Sequence, residues 1–195
     1  MIHEVEITTA PSVEPLTTAE FHSWANMPTA FTDDDTIIAN VIKSARQMVE
    51  RYLNRALITQ TLTVWWEVIP TVVYLPFAPI QSVTTVKTKR LNVSTTLTEN
   101  TNFYVQGNKD KYLRMTDPFH GSVAVSEADK VVGYELEVVY VAGYGDASTD
   151  IPQDIIDAVQ MVAVGNYTSR VGENEKNLIN EQVKEKLNPY RVYTI

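Results

Sequence analysis

The period of the apolar residues changes twice along this chain, and those two changes bound the folds open to it. From Thr32-Asp-Asp-Asp35 onward, Ile37, Ile38, Val41, Ala45, Met48, Val49, Tyr52 and Leu53 recur at helical spacing and predict one long amphipathic helix. From Leu57 the period falls to two, with Ile58, Leu62, Val64, Trp66 and Val68 on one face and Thr59, Thr61, Thr63 and Glu67 on the other. In that pattern Trp65 and Trp66 point to opposite faces. Beyond Pro152 the helical period returns, with Ile155, Ile156, Val159, Val162 and Ala163 forming a stripe through about Tyr167. Helical segments on both sides of a block of strands predict an α+β fold, in which a helical bundle formed by the N- and C-terminal segments carries an inserted antiparallel β-sheet or sandwich.

Local signals refine this outline. Thr17 followed by Glu20 has the spacing of a capping box, with Leu16 and Phe21 at the staple positions, so a short helix starts there. Short strands are expected near 72–75, 80–88, 102–105, 111–115 and 121–125, and a longer one from Tyr134 to Val141 that stops at Gly143-Tyr-Gly145. A polar loop, Ser169 to Lys176, precedes a last short helix carrying Ile179, Val183 and Leu187. The expected organisation is a discontinuous helical core made of 1–56 and 146–195, a β-rich insertion over 57–145, and a C-terminal tail over 188–195. The tail, Asn188-Pro-Tyr-Arg-Val-Tyr-Thr-Ile195, is too short and Pro-marked to prolong the helix before it. Its tyrosines, arginine and aliphatics have the composition of an anchor that orders on binding.

Composition narrows the function classes. The chain has no cysteine, which removes disulfides, thiolate metal sites and cysteine nucleophiles. Sixteen basic against 24 acidic residues give a net charge of −8, which opposes both general phosphate neutralisation and attraction to an anionic membrane. The start MIHEVEITTA has neither a basic nor an apolar targeting region, and no stretch reaches the roughly 18 apolar residues of a spanning helix. The expectation is a soluble protein made and used without export.

A search for chemistry finds little. His3, His22 and His120 stand far apart and read as surface or helix-edge imidazoles. Asp33-Asp34-Asp35 reads as the acidic first turn that a helix dipole favours rather than as a cation site, because no glycine-containing calcium loop surrounds it. Gly143-Tyr-Gly145 lacks the third glycine of a dinucleotide loop and reads as a turn that ends a strand. Lys87, Lys89 and Arg90 at a hairpin tip read as a solvated turn. No catalytic residue, cofactor fingerprint or metal site stands out, so the reading is a non-enzymatic protein with structural or binding work.

Six stretches in order resemble one family: Glu14-Pro-Leu-Thr-Thr-Ala-Glu20, Val49-Glu-Arg-Tyr-Leu-Asn-Arg-Ala-Leu-Ile-Thr-Gln-Thr61, Leu75-Pro-Phe-Ala-Pro-Ile-Gln-Ser-Val83, Val138-Val-Tyr-Val-Ala-Gly-Tyr-Gly145, Ile151-Pro-Gln-Asp-Ile-Ile-Asp-Ala-Val159 and Leu187-Asn-Pro-Tyr-Arg-Val192. Together they resemble the tailed-phage head-tail connector proteins (adaptor, head-completion), including those of prophages and gene transfer agents. The resemblance implies a virion protein at the head-tail junction, made in the host bacterial cytoplasm. It implies a ring of copies, expected to be a dodecamer, that docks under the portal protein after packaging, extends the DNA channel and carries a stopper or tail-completion protein. DNA would pass through such a ring without sequence-specific binding, and no cofactor or membrane is implied.

By the same resemblance the C-terminal segment reaches the portal, which makes Pro189, Tyr190, Arg191, Val192 and Tyr193 the candidate contacts. Another neck or stopper protein is the alternative within the same biology. From other classes, a ligand-binding β module or a hydrolase using scattered carboxylates would instead require a formed pocket.

Overall fold

A computed structural model of the chain describes residues 2–28, 30–90, 93–116, 135–169 and 179–192. It has the expected α+β character and divides into two compact units. One comprises residues 1–10 and 60–143, the other 11–59 and 144–195.

The second unit is helical. Helix α1 (Thr18–Trp24) opens with the capping box read from the sequence: Glu20 N–H donates to Thr17 Oγ1 at 3.2 Å, and Thr17 N–H donates to Glu20 Oε2 at 2.7 Å. Helix α2 (Asp35–Leu53) buries Ile38, Ile42, Ala45, Val49 and Leu53 along one stripe. Helix α3 (Gln153–Ser169) answers with Ile155, Ile156, Ala158, Val159, Val162 and Ala163, and α4 (Glu181–Leu187) adds Val183 and Leu187 to the same core. Each fully buried Leu or Ile contributes about 1.5–3 kcal/mol relative to exposure, so these stripes dominate the unit's stability. Phe21 meets Tyr167 edge to face with ring centroids 5.4 Å apart.

Strands build the first unit. A five-stranded sheet has the order β1 (Ile2–Thr9), β2 (Gln60–Trp66), β8 (Glu135–Ala142), β4 (Ile80–Arg90), β5 (Val93–Thr96), every neighbouring pair antiparallel. A second sheet has the order β3 (Val72–Tyr74), β7 (Tyr112–Met115), β6 (Phe103–Gln106). Period-two patterning is clean on the central strand β8, where Leu136, Val138, Tyr140 and Ala142 are buried and alternate with more exposed neighbours. Trp66 is buried while Trp65 is half-buried and donates Nε1–H to Glu137 at 3.4 Å, so the two indoles do occupy opposite faces.

Several expectations need correction. The first ten residues carry β1 and cluster with the sheets, not with the helical segment 1–56, because β1 makes its backbone hydrogen bonds to β2. The strand expected from Leu57 starts at Gln60 instead: Leu57 and Ile58 are buried in the helical core. There Ile58 bridges Gly145 in parallel, with Tyr144 N–H donating to Leu57 O at 3.1 Å and Thr59 N–H to Gly145 O at 2.9 Å. Val68 lies past the end of β2 and is 57% exposed. Strand β5 was not expected at all. The strand near 121–125, His120, most of the loop through Lys176 and Tyr193 lie outside the described residues.

Candidate partner-binding segment

The C-terminal segment is held by its own chain. Helix α2 ends where Asn54 turns left-handed (φ 54°, ψ 43°), which leaves the last carbonyls of the helix in need of donors. Helix α4 starts with Asn180, whose Oδ1 accepts from Val183 N–H at 3.0 Å. It ends in a single 3₁₀ turn, Asn188–Tyr190, where Pro189 supplies no N–H to continue it. The chain then lies against the end of α2. Val192 N–H donates to Leu53 O at 2.9 Å, Arg55 Nε donates to Tyr190 O at 2.5 Å, and Tyr52 OH donates to Asn188 Oδ1 at 2.8 Å. The Arg191 guanidinium stacks 4.5 Å over the Tyr52 ring, and Tyr190 OH reaches Asp154 at 3.4 Å. Arg55 and Arg191 also place positive charge at the negative end of α2.

This corrects the sequence reading of a free tail. Residues 188–192 are ordered before any partner arrives, with Tyr190 and Val192 half-buried and Pro189 and Arg191 exposed. The same five residues therefore split in character: Tyr190, Arg191 and Val192 engage the chain itself, Arg191 while still exposed, Pro189 is exposed, and Tyr193 is not described.

Beside the segment, Asp154, Met161, Gln182, Glu185, Lys186 and Pro189 line an open groove of ≈ 470 Å³. Lys186 Nζ lies 3.1 Å from Asp157 and 3.6 Å from Asp154. The hydrogen bond from Gln153, supported by Lys186, holds the Asp157 carboxyl below its usual range, and the bond to Asp157 raises the Lys186 ammonium. Both groups are thus charged and mutually satisfied near neutral pH, which suits a docking surface better than proton transfer. Among the described residues no three His, Cys, Asp or Glu side chains are placed to hold a metal ion.

Other residues singled out in the sequence take structural positions. Asp34 is the N-cap residue of α2 but makes no side-chain cap, because its carboxylate accepts from Tyr167 OH at 2.5 Å. His22 is not at the surface: it is 3% exposed and its Nε2 faces Asp35 Oδ1 at 3.1 Å. Gly143 ends the strand as expected, with φ +135° and its N–H donating to Pro79 O. Lys87 and Lys89 lean on Glu137 and Glu135 across β4 and β8, at 3.4 and 3.7 Å.

One cluster was missed in the sequence. Arg46 is 2% exposed inside the apolar stripe of α2, with Nε 2.7 Å from Glu14 and Nη1 2.7 Å from Glu50. The other Glu50 oxygen accepts Leu57 N–H at 2.9 Å, tying the chain after α2 back to the helix. A charged pair at i and i+4 within the stripe Ile42, Ala45, Val49 was the available signal.

No protein-family model matches the chain, and no curated protein matches it. Solved structures do. A chain from the neck of an empty gene transfer agent (GTA) particle, computed with C6 symmetry, superposes with a TM-score of 0.76 at 18% identity, covering 99% of this chain and 97% of that one. A chain from the virion of the native GTA particle gives 0.74 at 19% identity, and one from the native GTA neck computed with C12 symmetry gives 0.65 at 17%, both with the same coverage. At these identities the likeness is one of fold, and it extends over both units.

Proposed function

We propose that this chain is a structural subunit of the neck of a phage-like particle, located in the virion at the head-tail junction. The observation that carries the reading is the end-to-end likeness to GTA neck chains, 99% of this chain against 97% of the other at a TM-score of 0.76. A shared fold over a helical unit and a sheet unit together is far more specific than a shared helical bundle. The six sequence stretches that resemble head-tail connectors support the same reading independently.

Within the neck, the proposed place is the adaptor layer. A ring of copies docks beneath the portal after packaging, prolongs the DNA channel and presents its lower face to a stopper or tail-completion protein. The helical unit forms the adaptor core, the sheet unit is the insertion, and the segment 188–195 contacts the portal through Pro189, Tyr190, Arg191, Val192 and Tyr193. Pro189, which lines the groove of α3 and α4, and the exposed Arg191 are the residues proposed to meet it first. With a net charge of −8 per copy, such a ring would repel DNA phosphates and let the duplex slide.

Electron microscopy of lysates in which this gene alone is disrupted tests the reading. DNA-filled heads lying beside finished, unjoined tails are expected, and normal infectious particles would sink it. Binding assays with purified portal and tail components then place the layer, since a ring that binds tail components but never portal belongs one level lower.

A further inference from the structure

Among the described residues the five-stranded sheet ends in β1 and β5, each paired on one side only. In β1 every residue from Glu4 to Thr9 is exposed, including Val5 (38%) and Ile7 (46%), and in β5 all four residues from Val93 to Thr96 are exposed, with Val93 at 66%. A strand that buries none of these side chains is held by backbone pairing to one neighbour, and its outer N–H and C=O groups remain a template for another strand.

The two edges are complementary on both faces. Directly paired residues point to the same side of a sheet, so one face carries the row Glu4, Trp65, Glu137, Lys87, Thr96. On that face the β1 edge is acidic, through Glu4 and Glu6. The opposite edge carries Ser94 and Thr96, backed one strand inward by Lys87 and Lys89, whose side chains are 38% and 51% exposed. The other face carries the apolar row Val5, Val64, Val138, Val86, and there the edges offer Val5 and Ile7 on β1 and Val93 on β5. Pairing β1 with another β1 would set carboxylates against carboxylates. β5 against β1 instead sets Glu4 and Glu6 beside the hydroxyls of Ser94 and Thr96, with the Lys87–Glu137 and Lys89–Glu135 pairs one strand inward, and joins apolar to apolar on the other face.

We propose that β5 of one copy pairs with β1 of the next copy, so that the sheet continues from subunit to subunit. Four antiparallel steps separate β1 from β5, so the two edges run in the same direction and the added pair is parallel when copies are related by rotation about the strand direction. A contact between two different edges is head-to-tail and generates a closed ring when the rotation closes. The inference deepens the ring reading above and rests on it, while naming the surface that makes the ring.

The chain has no cysteine, which permits a clean cross-linking test. Glu6→Cys/Ser94→Cys is treated with a short bis-maleimide, both in particles and as concentrated purified protein, with each single variant as control. A ladder of covalent dimers, trimers and higher species from the double variant, and monomer from each single variant, is the expected result. Dimers from Glu6→Cys alone, or no ladder from a double variant that melts like wild type, would overturn it. Should the double variant be misfolded, the charge variants decide: Glu4→Lys/Glu6→Lys weakens self-association in either setting by roughly tenfold, and mixing with Lys87→Glu/Lys89→Glu protein restores it. Loss without restoration counts against the pairing. A subunit found in the neck with no ladder refutes the sheet contact alone. A ladder from purified protein, with the subunit itself absent from necks, refutes the neck reading and leaves the contact standing.

Discussion

The buried cluster of Glu14, Arg46 and Glu50 supplies a quantitative test of how the helical unit is held. In Arg46→Met the Glu50 carboxylate, 5% exposed, keeps the Leu57 N–H but loses its countercharge, while Glu14, at 29%, can turn to solvent. Removing one member of a buried ion pair costs about 3–5 kcal/mol, and the Leu57 bond argues for about 3. At 2–4 °C per kcal/mol for a chain of this size, the melting temperature falls by roughly 6–12 °C. In Glu50→Gln the amide oxygen still accepts from Leu57 N–H and Arg46 retains Glu14, so the loss is that of one charged hydrogen bond, about 1.5 kcal/mol. The double variant Arg46→Met/Glu50→Gln buries no orphan charge and is expected to lose about 2 kcal/mol, less than Arg46→Met alone. Thermal and urea unfolding followed by far-UV circular dichroism measures all three. If the double variant were destabilised by the full sum of the singles, or Arg46→Met matched wild type within about 0.5 kcal/mol, the account of a buried and coupled cluster would be refuted.

Further outcomes follow from single features. Burial raises the Glu50 carboxyl above its ordinary value of 4.5, against the opposing pull of Arg46 and the Leu57 N–H. Its contribution to stability is therefore complete below that value and is lost as pH rises through the folded one, so wild type should lose ground to Glu50→Gln between mildly acid and neutral pH. A difference that is flat or grows with pH would contradict this. Thr17→Ala removes the side-chain half of the capping box and should cost about 1 kcal/mol, read from the urea midpoint. Gly107→Ala forces a side chain onto φ +92° and a Cβ to 2.7 Å from Asp110 O between β6 and β7. A loss of about 1–3 kcal/mol is expected there, and an unchanged melt would show that the turn rearranges freely. Deleting 189–195 should abolish portal binding while also lowering stability through the lost Val192 bond to Leu53. Arg191→Glu should weaken portal binding and lower the melt slightly, since it removes the stack over Tyr52 and sets an anion at the negative end of α2.

The parts of the fold that were legible are those where one period runs long enough against one environment. The stripes of α2 and α3, the Thr17–Glu20 box and the alternation of β8 all satisfy that condition. Strand β1 escaped because Glu4-Val-Glu-Ile7 buries neither face, so the charges that make it an edge also mask its alternation. Strand β5 is four exposed and mostly hydroxylated residues whose pairing is imposed by β4. At the C terminus the composition reads as that of an anchor segment. What composition could not supply was that residues 188–192 already bind the end of α2, since the Leu53 carbonyl they satisfy is a property of how that helix stops. His22 was misplaced for a similar reason, because nothing in spacing links it to Asp35.

The close run of Leu57–Thr59 beside Tyr144–Gly145 has a bearing on how chains of this kind can diverge. Residues 60–143 leave the helical unit and return to it through adjacent backbone, so to the helices this whole stretch is one closed loop. The entropy of closing a loop grows only logarithmically, at about 0.6 kcal/mol per doubling of length. Strands can therefore be gained or lost within the loop at little thermodynamic penalty to the helical bundle. The size of the sheet unit is free to follow whatever it must meet, while the helices that hold the terminal segment stay the same.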